Sequence, residues 1–233
     1  MQAIILAGGK GTRLQTILNE VPKALASIGH KPFLDYLIKF LNQQGITHFI
    51  FSLGYQHQQI VDYLNAKEKT WTYTCVIEEQ ALGTGGAVKK ALASATDPNV
   101  WVINADTYLQ INLTEMYQQH LNNNAAATIA LKEMHNFDRY GLIQIDHNNS
   151  VISFEEKQPC EKGLINAGFF IVNKEYYANA TKDKVVFSIE KDFFEIQLSN
   201  KSIFGFQTEG FFIDIGIPED FERAQHVLPN LTL

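Results

Sequence analysis

Short apolar runs alternate with amphipathic stretches through the first half of the chain, the pattern of βαβ units feeding a parallel sheet. Residues 3–6 (Ala3-Ile4-Ile5-Leu6) are apolar without a break, which predicts a first strand buried on both faces. Phe33, Leu34, Leu37, Ile38 and Leu41 then recur at helical spacing, with Pro32 suited to the first turn and Gly45 to the C-terminal cap. The pattern further predicts strands over 48–53, 72–77 and 100–103 and helices over 59–64 and 87–95.

The second half changes character. Residues 125–131 and 141–145 predict strands, and His147-Asn148-Asn149-Ser150 is a turn leading into a strand over 151–155. Residues 164–172 form another apolar run, and 187–198 suggest a helix. Phe204, Phe206, Phe211 and Ile213 alternate at strand spacing around Gly210, and Pro218-Glu219-Asp220 opens a final helix with acidic residues where the helix dipole favours them. No linker, repeat or low-complexity segment interrupts the pattern. The expected fold is one α/β domain over residues 1–233. Its sheet is Rossmann-like, open and mostly parallel, with antiparallel strands added.

Composition narrows the function. A chain of 233 residues with 45% apolar positions buries roughly 70–75% of its unfolded surface and needs no covalent staples. Cys75 and Cys160 are far apart and not in a CxxC pattern, which argues against a disulfide scaffold and a thiolate zinc site. The net charge of -6 and the lack of a Lys/Arg run argue against nucleic-acid binding. The apolar run at the N-terminus is too short to span a membrane and lacks a basic leader segment. A soluble cytoplasmic protein with no membrane partner is expected.

The strongest local chemistry follows the first strand, in Leu6-Ala7-Gly8-Gly9-Lys10-Gly11-Thr12-Arg13-Leu14. Gly8, Gly9 and Gly11 let backbone N–H groups form an anion cradle, because no Cβ blocks approach. Arg13 can grip phosphate oxygens through two N–H groups at once. The plain alternative is a tight strand-to-helix turn with a solvated arginine. The loop is neither a Walker A, which needs GxxxxGK[ST], nor a dinucleotide fingerprint, because Leu14 stands where its third glycine would be. Lys23, after the rigid Pro22, can neutralise a second phosphate as a point charge.

Asp106 ends the fourth predicted strand, where ligands of open parallel sheets sit. Asp214, in Phe212-Ile213-Asp214-Ile215-Gly216, repeats the pattern. Each alone reads equally well as a helix cap or turn residue. Both together beside a Gly-Arg loop favour Mg2+, which takes one or two carboxylates plus substrate phosphates. In Glu155-Glu156-Lys157, strand alternation places Glu155 and Lys157 on one face and Glu156 on the other. That lysine can hold a phosphate and a glutamate can accept from hydroxyls, or the segment is a solvated hairpin end. Asn166, alone in an apolar strand, needs backbone partners or a polyhydroxy ligand. The glycines of Gly83-Thr84-Gly85-Gly86 permit close contact with a flat base or with another backbone.

In order, these residues resemble the sugar-1-phosphate nucleotidyltransferases, over essentially the whole chain. Within that group, LGTGGA (82–87), MHNFDRYG (134–141), VISFEEK (151–157), LIN (164–166) and FIDIGIPEDF (212–221) look most like the D-glycero-D-manno-heptose 1-phosphate guanylyltransferases. The resemblance implies a nucleotide-diphospho-sugar transferase fold of GT-A-like type, with GTP or another NTP and a sugar 1-phosphate as partners. Arg13, Lys23, Asp106 and Lys157 would be catalytic. Leu6, Gly8, Gly9, Gly11, Thr12, Glu78, Gly83 and Thr84 would hold the nucleotide. Tyr140, Gly141, Glu156, Lys157 and Asn166 would hold the sugar phosphate, and Asp106 and Asp214 the Mg2+. Because the chain ends soon after its last helix, the C-terminal β-helix of bifunctional relatives is not expected.

Glu78 is the acidic acceptor suited to the N1–H and N2–H donors of guanine, and Gln80 is the rival that would suit a pyrimidine. The alternatives are a mannose-1-phosphate guanylyltransferase, a glucose- or MurNAc-1-phosphate uridylyl- or thymidylyltransferase, and an inactive nucleotide-sugar sensor. A sensor usually lacks the loop arginine or a metal aspartate, and here both are present. Homo-oligomerisation stays open: Phe187, Phe193, Phe194 and Phe204 are core or a dimer patch, with core the expected place for most.

Overall fold

The computed structural model describes residues 1–9, 11, 14, 18 and 21–231. The first apolar run forms β1 (Gln2–Ala7), whose Ala3 and Ile5 face one core and whose Ile4 faces another. With both faces covered, the strand has no reason to alternate with polar residues. β1 lies parallel to β4 (His48–Leu53) on one side and to β6 (Asn99–Asn104) on the other, and β5 (Thr72–Ile77) extends the parallel block beside β4. A small hairpin, β2 (Ser27–Ile28) with β3 (Lys31–Pro32), precedes the first long helix.

Helices cover both faces of this block. Helix α1 (Phe33–Gln43) buries Phe33, Leu34, Leu37, Ile38 and Leu41 in the core that holds Phe49, Phe51 and Trp101, and α2 (His57–Asn65) adds Ile60 and Leu64. Helix α3 (Gly83–Leu92) packs Val88, Ala91 and Leu92 on the opposite face, against Ile4, Ile50 and Val102.

The later strands are β7 (Thr107–Leu109), β8 (Ala127–Phe137), β9 (Leu142–Ile145), β10 (Val151–Glu155), β11 (Cys160–Asn173), β12 (Ile203–Thr208) and β13 (Phe212–Asp214). β11 runs antiparallel to β6, β8 and β9, β10 runs antiparallel to β9, and β12 lies parallel to β8. The remaining helices are α4 (Leu113–Asn122), α5 (Lys174–Ala180) and α6 (Pro218–Val227). The parallel block with added antiparallel strands is the expected architecture.

Several expectations need correction. Helix α3 starts at Gly83 rather than residue 87, because tertiary contact overrides the poor helix propensity of its glycines. The helix expected over 187–198 is irregular: a π-helical turn at Glu190–Phe194, a short α segment and a 3-10 turn. The alternation around Gly210 belongs to two strands in different sheets, since β12 joins the large sheet and β13 pairs only with β7. β7, α4 and α5 were not expected. Helix α4 carries its own start signal, the Asn112 side chain accepting from the Glu115 amide at 3.1 Å. Phe187, Phe193 and Phe194 are buried, as expected for core, and Phe204 is half-buried. Among the described residues no helix is long and apolar enough to cross a membrane.

Candidate active site

The β7–β13 ribbon builds the centre of the site. Asp214 sits opposite Thr107 in the ladder, and the Ile215 amide donates to the Asp106 carbonyl at 3.0 Å. Asp106 itself follows the C-terminal end of β6, where the sheet opens toward ligands. Lys23, in the 3-10 turn that follows Pro22, places its Nζ 3.2 Å from Asp106 Oδ2. Asp214 Oδ1 accepts from the Gly216 amide at 2.7 Å, and its Oδ2 accepts from the Tyr140 hydroxyl at 3.4 Å.

Burial, and then the negative charge of Asp106, push the Asp214 carboxyl above the usual carboxylate range. The Gly216 amide, Lys23 and Arg139 pull it down. Two hard-oxygen donors that repel each other, with Lys23 beside them, form a donor set suited to a divalent cation. Among the described residues no cluster of three or more His, Cys, Asp or Glu could hold a metal. The pair therefore fits a cation that completes its shell from phosphate oxygens and water rather than a caged structural ion.

Two cavities flank this ribbon and share Asn104 as a wall. The larger, about 840 Å³, is lined by Leu6, Gly8, Gly9, Gly11, Lys23, Glu78, Gly83, Thr84 and Asp106. The smaller, about 330 Å³, is lined by Tyr140, Gly141, Glu156, Lys157, Asn166 and Asp214. The residues expected to hold the nucleotide thus gather in one cavity and those expected to hold the sugar phosphate in the other. Thr12 and Arg13 lie outside the described residues.

Within the larger cavity the floor is made by close backbone approach. A Cβ on Gly54 would come 2.8 Å from the Gly8 carbonyl oxygen, so the loops after β1 and β4 touch only because both positions are glycine. Glu78 accepts from the Ser52 hydroxyl at 3.1 Å and from the Leu82 amide at 3.2 Å, one bond on each oxygen, which leaves further lone pairs facing the cavity. The open question at Gly83-Thr84-Gly85-Gly86 has a definite answer: these glycines meet another backbone. The Gly85 amide donates to the Phe187 carbonyl at 2.9 Å, and a Cβ on Gly86 would run into the Val185 carbonyl. Thr84 Oγ1 accepts from the Ile189 amide at 3.0 Å.

In the smaller cavity, Tyr140 packs edge-on against Phe212, with ring centroids 6.1 Å apart, and the Arg139 guanidinium lies 4.9 Å above its ring. Half-buried Asn166 has partners on both atoms of its amide: its Oδ1 accepts from the Gly168 amide at 2.9 Å and its Nδ2 donates to Glu190 at 3.1 Å. β10 ends at Glu155, so strand alternation does not extend to Glu156 and Lys157, and all three residues line the same cavity. Glu156 is paired with Lys191 at 2.9 Å, and that hydrogen bond lowers its carboxyl pKa.

Sequence reasoning missed Asn104, Arg139, Glu190 and Lys191 as lining residues. Asn104 was within reach, because it ends a parallel strand beside Asp106. Glu190 and Lys191 carried no local signal, since they reach the site only through the packing of a distant segment.

The nucleotidyl transferase family profile matches residues 2–230. The chain belongs to this family. As a nucleotidyltransferase it is 42% identical to the D-glycero-alpha-D-manno-heptose 1-phosphate guanylyltransferase of Aneurinibacillus thermoaerophilus, with 99% of each chain covered. It is 37% identical to the protein of the same name from Campylobacter jejuni, over 95% of this chain and 97% of that one. In three dimensions it matches the crystal structure of HddC from Yersinia pseudotuberculosis complexed with GMP-PN, at a TM-score of 0.84 and 36% identity, covering 96% of this chain and 97% of that one. The resemblance drawn from the motifs, and the nucleotide-diphospho-sugar transferase fold it implied, are borne out. Nucleotidyltransferases of this kind generally use a divalent metal.

Proposed function

We infer that this nucleotidyltransferase transfers GMP from GTP to D-glycero-α-D-manno-heptose 1-phosphate, releasing pyrophosphate and GDP-heptose, and that residues 1–233 act as a single catalytic domain. The observation that carries the reading is the junction of the two cavities. A glycine-floored cavity sized for a nucleotide meets a smaller, polar one at Asn104, and the paired aspartates stand where they join. Two anionic substrates placed in these cavities meet at that junction. The names of the relatives, and the GMP-PN bound to HddC, favour guanine and heptose.

In the reaction, a phosphate oxygen of the sugar 1-phosphate attacks the α-phosphorus of GTP in line. A new P–O bond forms, the bond from the α-phosphorus to the bridging oxygen breaks, and pyrophosphate leaves with the electron pair. No covalent enzyme intermediate is required, so the chain acts by positioning and charge stabilisation. Backbone amides of Gly8, Gly9 and Gly11, with Thr12, cradle the triphosphate, and Leu6, Gly83 and Thr84 shape the nucleotide cavity. Arg13 and Lys23 stabilise charge gathering on the leaving group. Lys157 holds the phosphate of the incoming sugar, Glu156 and Asn166 accept and donate to its hydroxyls, and Tyr140 with Gly141 forms the wall beneath it. Asp106 and Asp214 would hold Mg2+, which when bound neutralises α-phosphate charge as a Lewis acid. Glu78 accepts from the N1–H and N2–H groups of guanine.

The test is pyrophosphate release by the purified protein across GTP, UTP, dTTP and CTP, each paired with heptose, mannose and glucose 1-phosphates. GTP with the heptose phosphate is expected to give the highest kcat/KM. Release with no pair at all overturns the reading, and a preference for UTP or dTTP moves base recognition from Glu78 to Gln80.

A further inference from the structure

A strap over residues 181–195 runs from the start of α3, beside the larger cavity, into the wall of the smaller one. On the nucleotide side it is stitched to the start of α3: Phe187 exchanges backbone bonds with Leu82 and Gly85, and Ile189 donates to Thr84. Lys89 ties its near end down, donating to the carbonyls of Thr181, Lys182 and Lys184 at 2.6, 3.0 and 2.7 Å. Buried Phe187, Ile189, Phe193 and Phe194 anchor it in the core. Between those anchors the backbone makes its π-helical turn, a local irregularity that occurs often at functional sites because it re-aims side chains. The side chain at its first position is Glu190, which faces the smaller cavity.

The cavity has several carboxylates, and their partners separate them. Asp214 is committed to Gly216 and Tyr140, Glu155 bonds Gln144 and Gln158, and Glu156 is paired with Lys191. Glu195 also lines the cavity, but among the described residues its side chain has no hydrogen-bond partner to fix it. Glu190, itself exposed, is both oriented and available: Oε1 accepts from Asn166 Nδ2 at 3.1 Å, while among the described residues Oε2 has no hydrogen-bond partner, so it can share the sugar hydroxyls with Glu156. A carboxylate held in one place is the acceptor suited to neighbouring hydroxyls of a sugar, because an ionised oxygen makes shorter and stronger bonds than an amide. Lys191, next to it on the turn, offsets charge among Glu156, Glu190 and Glu195.

We propose that Glu190 is a specificity-determining residue for the acceptor sugar, taking hydrogen bonds from its hydroxyl groups while Asn166 and the strap hold it in place. This rests on the smaller cavity being the sugar 1-phosphate site. The geometry puts recognition of the sugar on the same segment that packs against the nucleotide side.

The test uses Glu190→Ala and Glu190→Gln in the full chain. It measures binding of heptose and mannose 1-phosphates by calorimetry, alongside KM for each substrate and melting temperature. Glu190→Ala is expected to weaken sugar phosphate binding on the order of tenfold or more, as loss of a charged hydrogen-bond acceptor does. The KM for GTP and the melting temperature stay unchanged, discrimination between the two sugars narrows, and Glu190→Gln recovers part of the loss. Equal sugar affinity in wild type and Glu190→Ala overturns this proposal and leaves the assigned activity standing. A wild-type protein that binds GTP but neither sugar phosphate overturns both.

Discussion

Asp106 and Asp214 are joined through a backbone bond: the amide of Ile215 donates to the carbonyl of Asp106 at the end of the β7–β13 ribbon, and Lys23, 3.2 Å from Asp106, acts electrostatically on Asp214 as well. The raised carboxyl of Asp214 means that the folded protein holds this proton more tightly than the unfolded chain does. That contribution to stability is present at low pH and disappears as pH rises through the raised value. At pH 7–8 the ionised pair therefore strains the metal-free protein. Asp214→Asn is expected to raise the melting temperature of that protein, by about 2–4 °C for each kcal/mol relieved. The gain should shrink as pH falls below the raised value, where wild-type Asp214 is also neutral. Pyrophosphate release should fall by at least 10²-fold, on the order of a lost charge-stabilising group. A lower melting temperature at pH 8 would make Asp214 a structural residue.

The cationic side of the loop predicts the converse. In the proposed reaction, Arg13→Ala and Lys23→Met each remove a side-chain cation that offsets negative charge on the leaving pyrophosphate, and kcat/KM should drop on the order of 10²–10³. Lys23→Met also strips Asp106 of its 3.2 Å partner, so its effect should grow as ionic strength falls. Steady-state kinetics at two salt concentrations checks both, and a change below tenfold removes the residue from the catalytic role.

Glycine positions in and behind the larger cavity divide by what lies beside them. A Cβ at Gly86 would press on the Val185 carbonyl, so Gly86→Ala is expected to destabilise by about 1–3 kcal/mol through overpacking. At Gly9 no described atom lies within 4 Å of such a Cβ. Gly9→Ala should keep the melting temperature and weaken GTP binding instead, because its methyl group enters the phosphate cradle. Thermal melts with and without GTP distinguish the two; a stable Gly86→Ala would remove the strap packing as the reason for that glycine.

His120 is a buried imidazole held by Thr128 at 3.0 Å and Asn99 at 3.1 Å, and burial lowers its pKa to about 4. The unfolded chain takes up this proton near pH 6.5, so stability is lost as pH falls from about 6.5 toward 4. The loss reaches roughly 3 kcal/mol, and His120→Gln should flatten that limb of the curve. Denaturant melts from pH 4 to 7 provide the measurement, and an unchanged slope in His120→Gln would assign the acid limb to other groups.

The parallel block was legible because each of its strands carries its own signal. Residues 48–53 and 72–77 match β4 and β5 to the residue. The glycine loop and the two aspartates stood out for the same reason, each lying at or just after a strand end, and Lys23 stood out through the rigid Pro22 before it. Helix α3 was harder to bound, because Gly83, Gly85 and Gly86 are poor helix formers that obey a distant carbonyl rather than their neighbours.

The amino-acid order alone determined the α/β class, the glycine-rich loop after the first strand and which carboxylates to suspect, all written in periodicity and residue type over short spans. Only the folded chain decided that Asp106 and Asp214 share one ribbon, that Glu190 enters the smaller cavity, and that α3's glycines receive a strap. Each of these depends on contacts between segments remote in sequence, whose meeting is set by sheet pairing and core packing.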